Sequence, residues 1–350
     1  MQDAITEALT VDRGSFEPQP ARDPFVAMQR VVVRMLFDPA FAERVYKAPD
    51  DALAGLPTDA ALTAQLLDND PRLWNADRLR RSRALKILLE EYKVSATLAL
   101  HACRRLAFLD AFFTSSWFHD AVQLRGYMAL AFGGYLRQAA ERGEVDSPHL
   151  RATLEMEHAT AVARRKLRDA RRGLDEGLSP VAPGRPRPRL AAKPGVRGVL
   201  VPAGTIATVQ HVEKYLFEVT QVPALVLCDD PPSLDPLPAL SPTAVAAFLL
   251  EPQEGGHVSI AEIDPLFVHL VNACQRPTTL EGIALALAPH GVTPDEASEL
   301  AQQLLDGEVL RVVQVDADGA VVDPSSPEPQ PEPRPSPSAA PPQRKRKRKR

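Results

Sequence analysis

Glu155-x-x-His158 is the spacing in this chain nearest to a catalytic signature. A glutamate and a histidine three residues apart share one face of a helix, as in the ligand sets of di-iron helical bundles. Such a site takes two pairs of this kind on helices, and only this one lies in a helical pattern. His101, His119, His149, His211, His257, His269 and His290 form no HxH or HExxH pattern, and Cys103, Cys228 and Cys274 are scattered with no CxxC. No GxSxG, GxGxxG or phosphate-loop motif occurs. The histidines read as surface or core side chains, and Cys103 and Cys274 as inert residues on apolar helix faces. No catalytic residue, metal ligand or cofactor is expected.

Charge is more informative than motif. Between residues 164 and 197 there are eleven bases against Asp169, Asp175 and Glu176. Arg164, Arg165, Arg168 and Arg172 are the candidates in this strip for contact with an acidic peptide or a partner surface. The alternative is a solvated helix and linker, partly neutralised by the acidic module that follows. That module, residues 244–315, has ten acids against two bases, Arg276 and Arg311. Seven consecutive bases at 344–350 leave the rest of the chain more acidic than the formal charge of −4 indicates. They read as an appended tail, the one place where nucleic acid or another polyanion is expected to bind.

The elements that must position these residues follow from periodicity and punctuation. Residues 1–23 read as a poorly ordered N-terminus. From 24 to 174 apolar residues recur at threes and fours, which predicts a helical domain of six or seven helices. One very long helical pattern starts after Asp70-Pro71, and its bases Arg78, Arg80, Arg81, Arg83 and Lys86 read as a solvated face. Gly133-Gly134 inside a helical pattern reads as close helix packing, and Phe112, Phe113, Trp117 and Phe118 read as core. Residues 175–197 read as a Pro- and Arg-rich linker. An α+β domain over 198–322 follows, with GVRGVLVPAGT a strand of its sheet and IATVQHVEKYLFEV a helix. Residues 323–350 form a Pro- and Ser-rich tail with no means of building a core.

Within 244–315 two apolar segments flank Glu254-Gly255-Gly256, a hairpin signal. Three helices and the strand LRVVQV come next. Strand, strand and three helices is the order of a winged-helix-like module. The third helix carries Asp295, Glu296 and Glu299 and no base, so it would repel phosphates, which argues against DNA in its groove. The expected fold class is mainly α with this small α+β module.

The stretch from DPLFVHLVNACQRPTTLEGIALAL to TPDEASELAQQLLDGEVL resembles the recognition domains that hold leader peptides in ribosomal peptide biosynthesis. The succession DPAFAERVY, DPRLW, RSRALKILLEEYKVSATLAL, FFTSSWFHDAV and YMALAFGGYL resembles the helical domain of partner proteins of multinuclear non-haem iron-dependent peptide oxidases. The methanobactin-biosynthesis partner subunit is the best known of these. The resemblance runs from Pro24 to about Val315. It implies a non-catalytic adaptor whose partners are a metal-dependent peptide oxidase and a precursor peptide, the leader being added as a strand. Val258, Ser259, Ile260, Ala261 and Ile263 are the expected strand contacts, and Glu296 and Glu299 the contacts from the third helix. A rival reading is a winged-helix nucleic-acid-binding regulator. No long apolar run or signal peptide is visible, so no membrane is expected and the cytoplasm is the default location.

Overall fold

The computed structural model describes residues 23–77, 79–123, 127–171, 187–219, 233–253, 255–315 and 321–322. An aspartate followed by proline opens several helices. Asp23 and Asp38 each accept a bond from a first-turn amide, and the proline at N1 has no amide to leave unpaired. In this way α1 (Pro24–Phe37) and α2 (Pro39–Lys47) are started. With α3 (Pro49–Ala52) and α4 (Ala60–Leu67) they enclose a first core of Met28, Val31, Met35, Phe41, Val45 and Trp74.

The long pattern after Asp70 is not one helix. A 3₁₀ turn (Pro71–Asn75) precedes α5 (Arg80–Glu91), α6 (Lys93–Cys103) and α7 (Leu106–Asp110), and the chain breaks at Tyr92 and at Arg104, which has φ 53°. Partners on a later helix hold the chain at the Tyr92 break. The Tyr92 ring is fully buried and its hydroxyl lies 3.0 Å from His158 Nδ1. Ending α5 there orphans the first amides of α6, and the carboxylate of Glu157 accepts two of them, from Val94 and Ser95, each at 2.9 Å. The bases of this stretch are also more than a solvated face. Arg80 donates to the carbonyls of Leu36 and Trp74, Arg81 binds Asp110, and Arg83 pairs with Asp77. Lys86 is exposed, and Arg78 lies outside the described residues.

Helices α8 (Ser116–Gln123), α9 (Met128–Glu141) and α10 (Pro148–Arg171) complete a second core around Phe112, Phe113, Phe118, Phe132, Leu136 and Leu154. Helix α11 (Thr205–Val219) adds Val212, Tyr215 and Leu216 to it. Gly133 is required by close approach: a Cβ there would lie 2.4 Å from the Tyr92 hydroxyl and 2.6 Å from His158 Nδ1. Gly134 faces Trp117 in the same manner.

The strands fall into two antiparallel sheets, so the C-terminal strands do not share the single sheet expected from their order. The first has the order β2 (Arg197–Pro202), β3 (Val245–Pro252), β4 (Val258–Glu262). The second has the order β1 (Arg187–Ala192), β5 (Leu310–Val315), β6 (Val321–Val322). Strand β1 corrects the reading of 175–197 as linker throughout. Its register, Arg187 opposite Val315 to Ala192 opposite Leu310, joins segments more than a hundred residues apart. Pro188 is tolerated because β1 is an edge, and even positions on β1 point their main chain away from β5. Residues 175–186 lie outside the described residues.

Helices α12 (Pro265–Ala273), α13 (Leu280–Leu287) and α14 (Pro294–Asp306) follow β4, capped by Asp264, Thr279 and Thr293. They enclose a third core of Leu270, Val271, Cys274, Ile283, Ala301 and Leu310. Cys274 is buried, and burial pushes its thiol up to about 12. Cys103, by contrast, is only partly buried, and Cys228 lies outside the described residues. The molecule is thus mainly helical with a small two-sheet α+β part, and no helix among the described residues is long and apolar enough to cross a membrane.

Candidate functional site

The β3–β4 hairpin is built on the expected turn. Gly256 takes φ +82°, and Gln253 donates to the His257 carbonyl at 2.7 Å. Ile263 donates to the Ala247 carbonyl at 3.0 Å at the other end of the ladder. Both bonded pairs are odd-numbered, and bonded and non-bonded pairs alternate along an antiparallel ladder. The main-chain groups of Ser259 and Ala261 therefore face β3. Those of Val258, Ile260 and Glu262 face the opposite way, along the free edge of β4, where no described strand is paired. The edge that strand addition requires is open at even positions, not at Ser259 and Ala261.

The edges at β1 and β2 are less accessible. On β1, Leu190 exchanges bonds with Thr278 at 2.8 and 2.9 Å and Ala192 donates to the Cys274 carbonyl. On β2, the Gly198 amide meets Asn272 Oδ1 at 3.3 Å.

Side chains also alternate. Val258, Ile260 and Glu262 stand opposite Pro252, Leu250 and Phe248, on the face that packs against α10 through Met156 and Ala159. Val258 is partly buried in that cluster, and Ile260 is 45% exposed. Gly195, at φ +82°, lets the β1–β2 turn approach this junction; a Cβ there would meet the Ala163 carbonyl at 2.5 Å and Pro252 at 2.7 Å. Ser259 and Ala261 face the other way, and the Ser259 hydroxyl braces the hairpin by donating to the Glu251 carbonyl.

At the hairpin end of this face is a cavity of ≈ 420 Å³, bounded by Glu91, Arg164, Leu167, Arg168, Arg171, Pro252 and Gly256. The structure thereby brings the basic strip next to the β3–β4 turn. Arg164 Nη1 pairs with Glu91 Oε2 at 2.6 Å, and its Nε is buried with no hydrogen-bond partner among the described residues. Arg165 pairs with Asp169, and the guanidinium groups of Arg165 and Arg168 each lie 5.3 Å from the Tyr127 ring centre. Burial, helped by Glu91, raises the pKa of the Tyr127 hydroxyl against the pull of those arginines. Arg172 lies outside the described residues. Arg171, Glu91 and the hairpin tip were not among the expected contacts. The i, i+4, i+7 spacing of Arg164, Arg168 and Arg171 was the sequence signal that could have found the stripe.

Glu296 and Glu299 are not brought to this site. Helix α14 packs on α13 and β5, whereas β4 packs on β3 and α10. The Glu296 carboxylate is engaged in a capping box, accepting from the Thr293 amide and hydroxyl at 2.8 Å each, and these bonds hold its pKa below the usual carboxylate range. Ile263 is spent inside the ladder.

Glu155 and His158 turn to separate partners. Glu155 forms an ion pair with Arg137, and His158 turns to Tyr92, with burial followed by Arg137 and Arg197 holding the imidazole down at about 3. Among the described residues no three His, Cys, Asp or Glu side chains gather as a metal site. No protein-family model and no curated protein matches this chain.

Proposed function

We propose that this chain is a non-catalytic adaptor that holds an extended precursor peptide as an added strand on β4 and presents it to a metal-dependent peptide-modifying oxidase. The observation that carries the reading is the row of outward main-chain groups at Val258, Ile260 and Glu262, beside the half-exposed Ile260. An extended peptide pairing there gains main-chain bonds, and its alternate side chains fall towards α10. The oxidase as partner rests on the resemblance of the helical succession. The adaptor role agrees with the use of Glu155, Glu157 and His158 in packing and capping. Helix α10 replaces the third helix of the C-terminal module as the wall of the groove.

The test is amide hydrogen exchange on the full chain with a short peptide encoded beside its gene. Strand addition slows exchange at Val258, Ile260 and Glu262, while Ser259 and Ala261, bonded to β3, change little. A peptide that binds and leaves the three outward amides unprotected would remove β4 as the site.

A further inference from the structure

We propose that His269 and His290 form a pH-sensitive clasp, which fastens the C-terminal end of α13 to α12 at neutral pH and releases it when both imidazoles are protonated. The two rings are stacked, with centres 3.8 Å apart and planes 25° from parallel. His269 is held in place by its neighbours on α12. Val268 and Leu270 are fully buried, and Val268 packs so closely on β2 that a Cβ on Gly198 would lie 2.7 Å from its Cγ1. His290 arrives differently. It closes a 3₁₀ turn, Ala288–His290, that runs on from α13 and contains no buried residue. Leu287, just before the turn, is fully buried in the core that α12, α13 and α14 enclose. The turn therefore lays an exposed imidazole, and no core side chain, on α12.

The stack tolerates one proton and not two. A neutral imidazole offers its π face to a protonated one, a favourable cation–π contact. Two protonated rings put like charges face to face. At this distance their repulsion shifts the closing equilibrium by about fivefold even at the dielectric constant of water. The planes are too nearly parallel for a nitrogen of each ring to meet one ion, so the pair is not half of a metal site.

The surrounding charges do not relieve the pair. Elements packed on α12 are β2, β3 and α13. Arg197 of β2 stands opposite Leu250, on the sheet face turned to α10. Glu251 of β3 lies at the hairpin end, opposite Ser259. Glu281 is in the first turn of α13, at the far end from His290, and Asp264 caps the start of α12. Asp295, Glu296, Glu299 and Asp306 belong to α14, which packs on α13, and Glu296 is engaged by Thr293. Burial first, and His290 second, lower the His269 imidazole from 6.5, with no carboxylate opposing them. A histidine lowered in the fold supports it above 6.5 and withdraws that support as pH falls, the direction a clasp that opens in acid requires.

Histidine-selective NMR titration of the full chain tests the pair, and amide exchange tests its hold on α13. His290→Gln should move the titration midpoint of His269 upward, and His269→Gln should do the same for His290. Between pH 7.5 and 5.0, corrected for intrinsic rates, protection of the Ala286 and Leu287 amides should fall about fivefold more in the parent than in either variant. His290 is exposed, so His290→Gln keeps the fold, and circular dichroism verifies this for both variants. Midpoints that ignore the partner ring would overturn the pair. Coupled midpoints with the same loss of protection in parent and variants would overturn the clasp.

Discussion

Glu157 and His158 are neighbours in sequence with opposite electrostatic fates. Burial pushes the Glu157 carboxyl up to about 7, against the pull of the Ser95 and Val94 bonds and of Lys93. Burial also takes the His158 imidazole down to about 3. A carboxyl whose folded pKa is raised from 4.5 stabilises the fold below that pH and loses the contribution as pH rises to about 7. A histidine lowered from 6.5 does the reverse, gaining stability as pH rises from about 3 to 6.5. The two slopes oppose each other between roughly 4.5 and 6.5. Glu157→Gln removes one of them. Its stability relative to the parent should improve, on the order of 2 kcal/mol, as pH rises from 4.5 to 7. Denaturant unfolding across that window measures it, and a relative loss would contradict the assignment. Neither residue's role was legible beforehand. Glu155-x-x-His158 attracted a metal reading because spacing shows which residues share a helix face and not which neighbours meet that face.

At the scale of elements, caps and turns were legible and pairings were not. Asp264, Thr279 and Thr293 sit at the starts of their helices, and Gly256 turns the hairpin, because these signals are local. Strand β1 was hidden in a proline-rich run because its bonds come from β5, far along the chain. The same distance concealed the division into two sheets and the seating of β4 on α10. Two predictions follow from the ladder and from α14. Ile260→Pro removes an outward donor and should abolish peptide binding with the helical circular dichroism retained. Ala261→Pro strikes the inner ladder instead, so it should first lower the unfolding midpoint. Equal stability of the two variants would mean the ladder phase is wrong. Reversing Glu299 to Lys should leave peptide affinity unchanged within about twofold, since α14 lies against α13 and β5; anisotropy titration reads this directly.

At the scale of the whole molecule, two apolar clusters meet along α10, whose Leu154 and Val162 belong to the helical core while Met156 and Ala159 support the β2–β3–β4 sheet. Residues 323–350 have the composition of a segment that buries no core. Deleting them should leave the thermal midpoint essentially unchanged, and a drop of several degrees would show that they dock. The open edge of β4 has a consequence of a different kind, in the life of the molecule between clients. An unpaired strand edge accepts any strand, including the β4 of a second copy, since a two-fold axis places like edges antiparallel. Storage at high concentration should therefore produce a dimer that a bound peptide dissolves, visible as a sedimentation shift reversed by titrating peptide. The idle adaptor would then carry its own placeholder, and the supply of client would set how much of the population is available for work.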